Sequence, residues 1–226
     1  MTAIDHFFVF TRLDAPEQQR LIERGLKVGA RREHAGQGTQ NVCFSFANSY
    51  LELIWLADEQ GAREPMVKPL GLYERMHWRD HRASPFGVCV KSEQPEPGQQ
   101  QCEPPFAHWD YRPQYLPADA SIRMGCNSGV IGEPLLFQLD RAGGSPESAN
   151  EPHTLSGHRL HKLKVTTPAL APMSLLHDLK IEGLELVAGD EHLMEAELRA
   201  GPAESGSEAT GQELDLRPEL PLVLRW

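Results

Sequence analysis

At 226 residues the chain is long enough to bury a substantial core, as one large domain or two small ones. Its 32 acidic against 22 basic residues leave a net charge of -10, which excludes a phosphate-tracking nucleic-acid surface. Four widely spaced cysteines, Cys43, Cys89, Cys102 and Cys126, form no C-x-x-C, so neither a disulfide framework nor a zinc ribbon is expected. No apolar run reaches the roughly 18 residues of a membrane span, and no basic region leads into an apolar signal core. These absences predict a cytoplasmic protein with no membrane or nucleic-acid partner.

The first quarter of the chain carries the clearest signals. Ile4 to Thr11 is apolar and aromatic, as in a strand covered on both faces. Period two puts Ile4, His6, Phe8 and Phe10 on one face, with Phe7 and Val9 on the other. Asp14 as N-cap, Pro16 in the first turn and Glu17 three residues after the cap predict a helix over Ala15 to Arg24, stopped by Gly25. Strands are predicted at Leu26 to Arg31, Asn41 to Ala47 and Tyr50 to Leu56, the last two joined by a turn at Asn48-Ser49.

Past Ala57 the pattern loosens. A short helix is expected around Leu72 to Trp78, with strands at Pro85 to Lys91, Phe106 to Leu116, Ile122 to Cys126 and Leu135 to Asp140. Ser92 to Pro105 reads as an exposed loop, and Ala142 to Pro152 has the composition of a linker. A third unit comes next, with strand Leu160 to Thr167 and helix Met173 to Lys180. Its later strands are predicted at Leu184 to Ala188, Leu193 to Ala200, Glu213 to Arg217 and Leu222 to Trp226, with Gly201 to Gly211 as a mobile hairpin tip. Gly25-Leu26-Lys27-Val28 with Glu33-His34 recurs at the same spacing as Gly183-Leu184-Glu185-Leu186 with Glu191-His192, which hints at an internal repeat.

Several of these stretches carry a resemblance. Ile4-Asp5-His6-Phe7-Phe8-Val9 before a capped helix, Gly25-Leu26-Lys27-Val28, the loop His34 to Asn41, and Tyr50-Leu51-Glu52-Leu53-Ile54 resemble the glyoxalase-like domain of the vicinal-oxygen-chelate superfamily. The resemblance implies an α+β fold of repeated strand-helix-strand-strand-strand modules whose curved mixed sheets form a cup. The modules would be a first over 1–57, a degenerate second over 58–141, a linker over 142–158 and an extra C-terminal module over 159–226. It further implies a small molecule in the cup and, in many members, one divalent ion (Zn, Ni, Mn or Fe) at residues matching His6 and Glu52.

The residues themselves leave two readings open. Imidazole and carboxylate on adjacent strands can chelate such an ion, with the metal serving as Lewis acid in a lyase, isomerase or dioxygenase and Glu52 as ligand or base. The second module offers no histidine or carboxylate in Pro85 to Lys91 and only Gln138 and Asp140 in Leu135 to Asp140, while His153, His158 and His161 are spare candidates. Without a metal, Glu52 still needs a partner, since burying a lone carboxylate costs several kcal/mol; His6, Arg31 or Arg32 would serve. That alternative is a metal-free small-molecule binding or resistance-type protein. Contacts to a small polar substrate are expected from His34, Thr39, Asn41, Tyr50 and Gln138, and a homodimer is an admissible assembly.

Overall fold

The computed structural model describes residues 2–92, 103–140, 155, 157–168, 174, 176, 179–201 and 211–226. In chain order these form β1 (Thr2–Phe10), α1 (Gln18–Glu23), β2 (Arg31–His34), β3 (Thr39–Ser45) and β4 (Tyr50–Leu56). Three short helices, α2 (Glu59–Ala62), α3 (Leu72–Met76) and α4 (Trp78–His81), precede β5 (Phe86–Ser92), β6 (His108–Tyr111), β7 (Ser121–Gly125) and β8 (Leu135–Asp140). The chain closes with β9 (His158–Thr167), β10 (Leu184–Ala188), β11 (Leu193–Ala200), β12 (Glu213–Asp215) and β13 (Leu222–Arg225). Among the described residues no helix is long and apolar enough to cross a membrane.

Strands dominate, arranged as two mixed sheets. The larger runs β2-β3-β4-β1-β5-β8-β7-β6. β1 pairs in parallel with β4, as β5 does with β8, and β1 and β5 join antiparallel at the middle of the sheet. The smaller runs β10-β9-β11-β13-β12, with β9 between β10 and β11. Alternation along each strand divides the larger sheet into two apolar faces. One face, with Phe7, Val9, Leu53, Val88 and Leu136, packs into a single cluster with Leu163, Val165, Met194 and Leu222 of the smaller sheet. The other, with Phe8, Phe10, Ile54, Met124 and Phe137, lines the hollow of a curved half-barrel.

A buried arginine braces this second face. Arg75 on α3 is fully buried and donates to the carbonyls of Leu70, Ser84, Ser128, Ile131 and Glu133. It therefore ties the helical segment to the turn between β7 and β8, and five acceptors satisfy its planar fork of donors.

Three expectations need correction. The helix starts at Gln18, not Ala15, because Asp14 and Ala15 adopt left-handed φ of 63° and 49° and Glu17 stands at the cap position. Asp14 caps nothing; the Glu17 carboxylate turns inward to Thr11 and Arg12. The strand expected at Leu26 to Arg31 lies at Arg31–His34, with Gly29 and Ala30 only beginning to pair with Cys43 and Leu26 sunk into the core. The echoed glycines, Gly25 and Gly183, share a positive φ, but the residues after them part ways: Leu184 opens β10, whereas Leu26 opens no strand. The predicted stretches at 93–102, 141–154 and 202–210, and half of the residues of the helix predicted at Met173 to Lys180, lie outside the described residues.

Candidate functional site

A break in β1 creates the site. Pairing of β1 with β5 shifts register between Ile4 and His6, so that Ile4 faces Val90 and His6 faces Cys89, with Asp5 as the extra residue. A β-bulge of this kind suspends the strict alternation of side chains and re-aims its residues. Ile4 consequently joins the inter-sheet core with Phe7 and Val9, while His6 goes with Phe8 to the hollow. The same bulge lets Asp5 reach its neighbour: the Asp5 carboxylate lies 2.8 Å from His6 Nδ1. Lys91 Nζ holds the other carboxylate oxygen at 3.3 Å.

Asp5 thus fixes the imidazole so that Nε2 faces Glu52, whose Oε1 lies 4.0 Å away. The ring stacks on Tyr50 at 4.3 Å and takes the edge of Phe137 at 5.5 Å. Burial opposes a charge on His6, but Cys89, Asp5 and Glu52 around it raise its pKa well above the usual imidazole range. Burial also pushes up the Cys89 thiol, so the Asp5 carboxylate is the main source of the rise at His6. Burial works against Asp5 too, yet His6 and Lys91 hold its pKa below the ordinary value.

Glu52 is the unusual member. Parallel pairing sets it opposite Phe8 on β1, on the hollow face, and it is only 6% exposed. Its polar neighbours stand off: Cys43 Sγ at 3.8 Å, with His6 Nε2 and Arg32 Nη1 both at 4.0 Å. None of these is a close hydrogen bond. Burial and the Glu52 carboxylate push up the Cys43 thiol and the Tyr50 hydroxyl, so both stay protonated.

The hollow is a cavity of about 500 Å³. Its polar corner is made by His6, Arg32, Glu33, His34, Gln37 and Glu52 with three tyrosines, Tyr50, Tyr111 and Tyr115, and its wall is apolar, with Phe8, Phe10 and Ile54 on one side and Ile122, Met124, Leu135, Phe137 and Leu139 on the other. Tyr115 closes over the corner, its hydroxyl 3.2 Å from Gln37 Oε1 and its ring 4.8 Å from His34.

The sequence profile of the glyoxalase-like domain matches residues 4–178, more than half of the chain. The chain belongs to the glyoxalase-like domain family. A hypothetical protein from Staphylococcus aureus shares the fold at 11% identity and a TM-score of 0.57, covering 100% of this chain and 98% of its own. A hypothetical protein, BH1468, from Bacillus halodurans C-125 aligns at 13% identity and a TM-score of 0.39, covering 65% of this chain and 99% of its own. No curated protein matches the sequence.

For this glyoxalase-like chain, the divalent ion of the superfamily can be tested against the donors present. Two ligand atoms about 2.1 Å from one ion stand about 3.4 Å apart at the tetrahedral angle, so His6 Nε2 and Glu52 Oε1, 4.0 Å apart, would close by about half an ångström to share one. The matching strands of the other half, β5 and β8, present Gly87, Cys89, Leu135, Phe137 and Leu139 on that side, with no imidazole or carboxylate. A four-ligand site of His6, Glu52 and two residues of the second half therefore does not close. The donors that do cluster are Asp5, His6 and Cys89, all buried and with ligand atoms within 4.8 Å of one another, and this trio could hold an ion.

The remaining sequence candidates fall in different places. His6, His34, Tyr50 and Glu52 line the cavity together. Thr39 and Asn41 stand behind that lining: Thr39 Oγ1 positions His34 Nδ1 at 2.8 Å, and Asn41 Oδ1 accepts from the Arg32 amide at 3.1 Å. Gln138 points away from the cavity, on the face of Leu136 and Val90, because Leu135, Phe137 and Leu139 take the alternate positions of β8. Sequence pattern misses Asp5, which alternation sets opposite His6, and Tyr115, which falls in the strand predicted at Phe106 to Leu116 but lies beyond β6, since that strand is confined to His108–Tyr111. Burial keeps the His34 imidazole below its usual pKa, so it is neutral at the cavity rim.

Proposed function

We propose that the cup binds a small, mostly apolar molecule whose single oxygen-bearing head enters the corner of His6, Arg32 and Glu52, and that these residues transfer or hold a proton on that head. The observation that carries this reading is Glu52, a buried carboxylate whose hydrogen-bond and ion-pair partners among the described residues stand at 3.8 to 4.0 Å, at the polar corner of a cavity with a broad apolar wall. A buried carboxylate without close donors is costly, and a ligand donating to it restores the lost hydrogen bonds. His6, held by Asp5, presents Nε2 as the facing donor, while the apolar wall excludes water and strengthens both interactions. The chemistry suits proton movement next to a carbonyl or hydroxyl, as in a lyase or isomerase; a resistance-type binder would use the same contacts without turnover.

A second reading is favoured by the Asp5, His6 and Cys89 trio. Its nitrogen, sulfur and oxygen donors suit zinc, which would act as a Lewis acid toward the ligand head.

The first reading is tested by displacement of a fluorescent apolar probe, anilinonaphthalene sulfonate, from wild type, Glu52→Gln and Phe137→Asp. The first reading expects hydrophobic ketones and alcohols to displace the probe, Phe137→Asp to abolish its binding, and Glu52→Gln to weaken only ligands with a polar head. Equal displacement by alkane and ketone would overturn it. Elemental analysis of protein purified without chelator, beside His6→Ala, decides the second: stoichiometric zinc lost on substitution supports it, and no metal in either form sinks it.

A further inference from the structure

Away from the cup, a second cavity of about 380 Å³ opens at the seam between the two sheets. Lys91, Arg159, His161 and Arg199 line it, against one carboxylate, Glu182, in a chain whose net charge is -10. Two features of the backbone produce this concentration. Arg159 on β9 and Arg199 on β11 are direct cross-strand partners, and like charges set opposite one another destabilise an antiparallel pair. Pairing of those strands also shifts register between Glu197 and Leu198, leaving His161 as the bulged residue beside them.

Their counter-charges are sparse. Arg199 meets Glu197 on its own strand at 2.9 Å, Lys91 reaches from β5 to Asp5 at 3.3 Å, and Arg159 has no ion pair among the described residues. Three permanent cations converge from both sheets on a space too small for a polyanion. Arg159 offers its whole fork, Arg199 keeps Nη1 beyond the two bonds it makes to Glu197, and Lys91 keeps one N–H beyond Asn48 and Asp5, so a tetrahedral dianion can meet a different donor at each of several oxygens.

We propose that this cavity is a phosphate site, taking free phosphate or the phosphate of a small monoester between Arg159, Arg199 and Lys91. Occupancy would relieve the repulsion of the facing arginines. Because Lys91 also holds Asp5, the site lies one side chain from His6, so the two cavities share a structural element.

Calorimetric titration of the whole chain with inorganic phosphate, glycerol phosphate, acetate and chloride at matched ionic strength tests the proposal. Saturable binding of one phosphate per chain is expected, with acetate and chloride at least about tenfold weaker, and Arg159→Gln and Arg199→Gln each weakening phosphate about tenfold or more. Tighter binding of the free ion or of the ester identifies which source the site serves. Probe binding in the cup should be unchanged in both variants. Phosphate binding no stronger than acetate, or affinity unaltered in a folded Arg159→Gln or Arg199→Gln protein, overturns the proposal. Should either variant fail to fold, wild-type amide shifts decide: phosphate must move the Arg159, Gly183 and Arg199 resonances, and their silence refutes the site.

Discussion

The two halves of the eight-stranded sheet meet at β1 and β5 and curve around one hollow, yet they furnish it differently. The half built from β1 to β4 brings His6, Arg32, His34 and Glu52 to the hollow; the half built from β5 to β8 brings Ile122, Met124, Leu135, Phe137 and Leu139. Strand order is mirrored across the seam, with β4 parallel to β1 and β8 parallel to β5, so the side chains and the bulge in β1 set the difference in chemistry. One half offers protons and charge, and the other offers a dry wall against which those groups act in a low dielectric.

That division can be broken most severely from the apolar side. Arg75→Leu strips five carbonyls of their donor and unties α3 from the β7–β8 turn, so unfolding free energy should fall by about 3–5 kcal/mol in urea titration. Phe137→Ala is expected to lose about 3 kcal/mol, the low end for a buried aromatic because one face borders the cavity, and to loosen the apolar probe. In Gly87→Ala the added Cβ would sit 2.2 Å from the Phe8 ring, forcing that ring into the hollow. A loss of about 1–3 kcal/mol with a smaller cavity should result, read from denaturation and from reduced probe capacity.

The polar side should change selectivity more than stability. Glu52→Gln removes a carboxylate with no close partner, so stability should change by less than about 1 kcal/mol while selectivity for polar heads collapses. A larger stability loss would mean that Glu52 is structural. The smallest effect lies in the other sheet, where Lys164 and Arg225 hold Glu195 below its usual pKa. Its folded pKa is depressed, so its contribution is present above the unfolded value near 4.5 and is lost as pH falls through the folded value. Glu195→Gln should flatten the acid limb of stability below pH about 4.5 and leave neutral stability nearly unchanged.

Legibility in the sequence tracks which signals are local. The β1 run, the Tyr50 to Leu56 strand and the face shared by His6 and Glu52 can be read from alternation, because β4 pairs with β3 over its whole length and with β1 in register from Leu51 to Ile54. Ile4 and Asp5 cannot, since a bulge depends on the partner strand β5 and reverses the parity that alternation assumes. Asp14 has the residue type and spacing of a cap, but its left-handed backbone and the inward turn of Glu17 serve Thr11 and Arg12 instead. Gln138 has suitable chemistry for a ligand contact, although the parity of Leu135, Phe137 and Leu139 along β8 directs it to the other face. Arg159 facing Arg199 is invisible without the register of two strands 40 residues apart in sequence, as their numbers show.

The proposed ligand lies across the sheet, with its polar head on one half and its apolar body on the other. Intermolecular nuclear Overhauser contacts to a bound hydrophobic ketone test this most directly. The prediction is contacts from the protons next to the carbonyl to His6 and Tyr50, and from the hydrocarbon end to Phe137, Leu139 and Met124. Contacts running the other way, or equally from both ends of the ligand to both halves, would contradict it.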